Sequence, residues 1–133
     1  MIVLDASATV DLVAKRRAWR EIRAELSASP GWLVPGHWMV ECLSALRRLE
    51  RSDVADRADE YERGVDHLDR LRVEVHAVSA LELWERRHNL KVADAGYVAL
   101  AERFSIPLVT SDARLTRAPG TTCEFRSFAV DRP

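Results

Sequence analysis

The chain has 133 residues, 47% apolar and 31% charged, with a formal net charge of -1. That length fits one domain with a proper hydrophobic core, so residues 1–133 are expected to form a single unit. The near-zero charge excludes a broadly basic nucleic-acid binder, and any affinity for a polyanion must rest on a local patch.

In chain order, "MIVLD" is a short apolar run of the kind buried in a parallel strand. A helix is expected over "ASATVDLVAK" and a second over "AWREIRAELS", before a turn at "SPGW" and a strand at "WLVP". From Trp38 to Arg51, Met39, Cys42, Leu43, Leu46 and Leu49 recur at threes and fours on one helical face. The charged segment "DVADRADEYERGVDHLDRL" keeps Val54, Ala58, Tyr61, Val65 and Leu68 in helical register, with a solvated outer face. "VEVHAV" alternates as a strand, "ALELWERRH" reads as a short helix, and "VADAGYVALA" as a buried one. "IPLVT" and "CEFRSF" are the fourth and fifth strands. Strands alternating with helices predict an α/β fold, a three-layer sandwich around a mainly parallel sheet of four to five strands.

Such sheets gather their sites at the carboxyl ends of the strands, near a topological switch point. Asp5 ends the first strand and Asp112 follows the fourth, so both are expected at one edge. Asp94 is the one charged residue of its ten-residue stretch, and Glu41 stands in "MVECLSALRR". Each acid alone has an ordinary structural use. Asp5 and Asp112 suit helix N-caps, Asp94 suits a cap or the positive end of a helix, and Glu41 is a helix former. As a set they repel: two carboxylates about 4 Å apart cost roughly 4 kcal/mol at an effective dielectric of 20. Protons or a cation must relieve that, and hard oxygen donors suit Mg²⁺ or Mn²⁺. Such an ion activates water for phosphodiester displacement. Thr110 offers a hydroxyl at the same edge, and Ser7 is expected to cap the first helix while supporting Asp5.

The spread "VLDAS … ECLSALRR … RHNLKVADAGYVALAERFSIPLVTSDARL" resembles a PIN domain of the VapC toxin type. The likeness is closest from Arg87 to Leu115, where a DAxYxALA helix precedes a TxD turn. It implies an endoribonuclease, the toxin of a toxin–antitoxin pair, binding Mg²⁺ or Mn²⁺ through Asp5, Glu41, Asp94 and Asp112, with Thr110 as the TxD hydroxyl. It also implies an RNA substrate, a homodimer and a cognate antitoxin whose C-terminal segment enters a groove beside the site. Gly96 stands where Ala is expected, a change of little consequence to the metal.

Other signals are weaker. Arg16, Arg17, Arg20 and Arg23 could track an RNA backbone or form a solvated helix face, the latter being favoured. Arg114 and Arg117, just past Asp112, are better placed to meet a phosphate. The four Trp residues read as core or partner anchors, with Trp38 a candidate groove lining. Cys42 and Cys123 form no CxxC, and the His residues have no zinc-ligand spacing with them. "MIVLDAS" is not a signal peptide and no run is long enough to span a membrane, so a cytoplasmic protein is expected. A haloacid-dehalogenase-like phosphatase wants an acid at position 7, where Ser stands. The competing reading is a non-catalytic PIN-like module that binds RNA or protein.

Overall fold

The computed structural model describes residues 1–53 and 57–129. The first apolar run forms β1, Ile2–Leu4, buried at all three positions. It pairs in parallel with β2, Trp32–Pro35, on one side and with β4, Leu108–Thr110, on the other. The outer strands are β3, Glu74–His76, beside β2, and β5, Phe125–Ser127, beside β4. The order β3-β2-β1-β4-β5 makes the sheet wholly parallel. The chain winds outward from β1 to β3, then returns to lay β4 against the free side of β1. The switch point therefore lies between β1 and β4, the two strands that carry Asp5 and Thr110.

One helical layer is built on α1, Ala6–Val13, which packs against α2, Trp19–Ser27, α3, Trp38–Ser52, and α4, Ala58–Arg70. Gly64 permits that approach: a Cβ there would stand 3.1 Å from the Val13 carbonyl oxygen. The other layer is α6, Val92–Phe104, lying across β1, β2 and β4 with α5, Ala80–Trp84, beside it. In α6 every residue from Ala95 to Ala101 is buried, as an apolar stretch between two packed elements must be. A single turn, α7, Ala113–Thr116, follows β4. No helix of the described residues is long and apolar enough to cross a membrane.

Three local expectations change. Helix α5 ends at Trp84, four residues before the expected His88, and turns take over. On α3, Cys42 and Leu46 are buried, but Met39 and Leu43 from the same expected stripe remain exposed beside Val40. Arg16 precedes α2 and lies off any helix, so the basic run is not one helical face. Val54 lies outside the described residues; Tyr61 and Leu68 of its stripe are buried and Val65 is exposed.

Candidate active site

The register that pairs Leu4 with Val109 sets Asp5 beside Thr110 one residue further on. The Asp5 backbone N–H donates to the Val109 carbonyl at 3.0 Å, which carries the ladder one step past β1. Asp5 is 6% exposed, and its Oδ2 accepts from Ser7 Oγ at 2.6 Å and from Thr110 Oγ1 at 2.7 Å. Each hydroxyl has one proton and gives it to that oxygen. Each also accepts a backbone N–H, Ser7 from Ser111 at 2.9 Å and Thr110 from Asp112 at 3.0 Å. No proton is left for the 3.2 Å contact between the two hydroxyls. Asp5 Oδ1 accepts no hydrogen bond among the described residues. Burial raises the Asp5 carboxyl to about 6 against the pull of both hydroxyls, and the Asp94 and Glu41 charges push the same way.

The two expected caps divide. Asp112 does cap α7, its Oδ1 accepting from the Arg114 N–H at 2.9 Å. Asp5 stands at the N-cap position of α1 but makes no side-chain cap, and Ser7 supports the carboxylate instead of capping the helix. The Asp5 carbonyl is held by Thr9 Oγ1 at 2.9 Å, which in turn accepts from Trp38 Nε1 at 3.0 Å. Trp38 is 2% exposed, so it ties α3 to the end of β1 and does not line a groove.

Asp94 sits in the first turn of α6, where the helix dipole favours its charge, and makes no side-chain cap. Burial raises its carboxyl, followed by the Asp112 and Glu41 charges, with Lys91 and Arg114 opposing them. Glu41 reaches the same region from α3. Its Oε1 accepts from Tyr97 Oη at 2.5 Å and lies 3.5 Å from His37 Nε2. Tyr97 is fully buried, and burial together with the Glu41 contact drives its phenol far up, so it stays a donor. His37 Nε2 also lies 2.8 Å from the Ala93 carbonyl, and its ring meets Tyr97 edge-on at 5.3 Å between centroids.

The structure thus brings all five expected residues into one electrostatically coupled region. Among the described residues, no three Asp, Glu, His or Cys side chains stand together as a finished ligand set. Their chemistry nonetheless fits a hard divalent cation. The donors are all carboxylate oxygens, Asp5 and Asp94 are raised in part by the neighbouring acids, and Asp5 keeps one oxygen free of hydrogen bonds. Tyr97, His37 and Thr9 were missed as supports. Tyr97 lies three residues after Asp94 and His37 four before Glu41, spacings that share a helical face. Gly96, isolated inside a helical pattern, also signalled a packing demand.

The PIN domain family profile matches residues 2–120. Ribonuclease VapC3 of Mycobacterium tuberculosis is 38% identical over 120 residues, covering 88% of this chain and 86% of its own. Among solved structures, a Pyrobaculum aerophilum protein shares the fold with a TM-score of 0.71 and 21% identity, covering 96% of this chain and 83% of that one. A toxin–antitoxin complex from Klebsiella pneumoniae matches with a TM-score of 0.56 and 18% identity, covering 92% and 96%.

Proposed function

The chain belongs to the PIN-domain family, in its VapC branch, and we propose that it is a Mg²⁺- or Mn²⁺-dependent endoribonuclease, the toxin of a toxin–antitoxin pair. The observation that carries the reading is Asp5, a buried carboxylate raised to about 6, its Oδ2 taking two hydroxyl bonds and its Oδ1 free of hydrogen bonds among the described residues. Burial dominates that shift, and two further acids add to it. A cation in the cleft relieves all of these costs together.

Asp5, Glu41, Asp94 and Asp112 would hold the ion. Bound there, it supplies a water nucleophile at neutral pH and neutralises the charge that builds on the phosphodiester. Ser7 and Thr110 favour the ionised form of Asp5 against its burial and orient its free oxygen. Tyr97 and His37 restrain Glu41, and the cap on α7 fixes Asp112. Asp94 sits in the first turn of α6, where the helix dipole favours its ionised form against the burial that raises it. RNA as substrate is supported by the ribonuclease relative.

An antitoxin partner is supported by the fold shared with the Klebsiella complex and by exposed apolar surface on α3 at Met39, Val40 and Leu43. A groove of about 340 Å³ between α3 and α4 is lined by Leu43, Leu46, Tyr61 and Val65, with Arg47 at its side. We assign the antitoxin segment to this groove, and a homodimer to the assembled toxin. Calorimetric titration of Mn²⁺ into the antitoxin-free protein and a folded Asp5→Asn variant tests the reading. Binding by the parent alone is expected. A folded parent that binds no Mn²⁺ overturns the metal mechanism and leaves a PIN-like binding module.

A further inference from the structure

Beside the acids lies a cleft of about 600 Å³ that touches the acid set at Asp112 and is bordered by Arg16, Arg17, Ser111, Arg114 and Phe128. Its basic wall depends on an unusual turn. Lys15 and Ala18, neither of them glycine, both adopt left-handed backbone angles, with φ of 50° and 56°. They bracket Arg16 and Arg17 and fold the chain back, with the Arg16 N–H donating to the Asp11 carbonyl at 2.8 Å. Lys15 and Arg20 turn onto the Trp19 ring, at 5.6 and 4.6 Å, while Arg16 and Arg17 border the cleft.

Charge in the cleft is incompletely matched. Arg16 stands 3.5 Å from Asp11, and Arg114 stands 3.6 Å from Asp112. Arg17 closes no hydrogen bond or ion pair among the described residues, and only its longer-range charge acts on the Asp11 carboxylate. The Ser111 hydroxyl is buried and stands near Asp11 without closing a hydrogen bond to it. On the remaining side is Phe128, partly buried, whose backbone N–H donates to the Thr110 carbonyl at 2.8 Å. That bond fixes the Phe128 backbone next to the turn that carries Asp112, and its side chain borders the cleft. In a chain of net charge -1, this is a local positive surface adjoining the acids.

We propose that the cleft is a nucleotide subsite for single-stranded RNA, seating the residue next to the scissile bond. Its phosphate lies on Arg17 and Arg114, and its base stacks on Phe128. The proposal rests on the ribonuclease reading. Guanidinium groups suit phosphate oxygens by their planar fork, and an aromatic face accepts any base. Arg16 is oriented by Asp11 and supports the wall. The subsite therefore sets affinity and register along the strand, leaving choice of base to other contacts.

The test is fluorescence anisotropy of a labelled, random-sequence, short single-stranded RNA pool, in EDTA at low ionic strength. Arg17→Ala and Arg114→Ala are each expected to weaken binding about tenfold and to reduce the salt slope of log K by about 0.7. Phe128→Ala is expected to weaken binding about tenfold with the slope unchanged, and Phe128→Trp to restore it. Arg117→Ala, outside the cleft, should bind as the parent does. Melting temperatures identify any variant that fails to fold, and Arg17→Gln then replaces it in the comparison. If the parent binds RNA and the cleft variants match it in affinity and slope, the subsite is overturned while the ribonuclease reading stands. If the parent binds no RNA, both fall.

Discussion

Gly96 and His37 occupy one another's space: a Cβ at position 96 would stand 2.4 Å from His37 Cε1. No real Cβ contact is so short, and the histidine is anchored through Nε2, which lies 2.8 Å from the Ala93 carbonyl and 3.5 Å from Glu41. The glycine that seemed of little consequence in the sequence is thus the seat of a side chain that restrains Glu41. Gly96→Ala is expected to displace His37, destabilise the fold by about 1–3 kcal/mol through overpacking, and weaken Mn²⁺ binding. The double variant Gly96→Ala/His37→Ala should recover the stability but not the affinity. Calorimetry and thermal melts of both variants check this, and a single variant indistinguishable from the parent contradicts it.

Asp94→Asn should remove Mn²⁺ binding and RNA cleavage together. The same variant, free of metal at neutral pH, should melt higher than the parent, because it deletes a carboxylate that burial, Asp112 and Glu41 all disfavour. A residue acting only as a helix-dipole partner would show the opposite stability change. Melting curves without metal therefore separate the two roles, and full cleavage by folded Asp94→Asn would falsify the mechanism.

Stability of the metal-free protein should fall as pH rises from about 4 to 6. Asp5 is raised from its ordinary value of 3.8 to about 6, so within that window the folded chain keeps a proton that the unfolded chain has released. The loss is on the order of 3 kcal/mol, complete above the folded value. Asp94 and Asp11 are raised too and act in the same direction. Melting temperature should therefore be higher at pH 5 than at 7.5, and Asp5→Asn should flatten the difference. Mn²⁺ affinity should run the other way, weakening at pH 5 as the proton competes.

Tyr97→Phe keeps the buried ring and deletes the donor to Glu41. The expected cost is about 1–2 kcal/mol in stability, with a several-fold loss of Mn²⁺ affinity as Glu41 gains freedom. Calorimetry of the variant, with its melting temperature as control, measures both. An unchanged affinity would demote Tyr97 to a packing residue.

The layered architecture and the acid set were legible because their signals are local and strong. "MIVLD" and "IPLVT" are apolar runs ending at Asp5 and just before Asp112, so a parallel sheet already puts those acids at one edge. Asp94 stood out against its apolar neighbours. What escaped depends on three-dimensional coincidence. The left-handed Lys15 and Ala18 have no glycine or asparagine to announce them, so the sequence pattern alone sets Arg16 on a helical face. Met39 and Leu43 follow the periodicity of a buried stripe, yet both are exposed, Leu43 at the groove between α3 and α4, a matter of inter-helix placement that no single-helix pattern contains. Trp38 reads equally as core and as groove lining in the sequence, and only the structure commits its indole N–H to Thr9 in the interior.

The bond from Thr110 to Asp5 joins residues 105 positions apart, and β1 gains its second neighbour only when β4 arrives. Closing so long a loop is slow compared with forming local contacts. During synthesis, a chain that has emerged as far as α6 holds Asp5, Glu41 and Asp94 but has neither Thr110 to aim Asp5 nor Asp112 to complete the set. Cleavage competence is therefore expected to appear at one late step of folding, the earlier, partly folded chain being harmless.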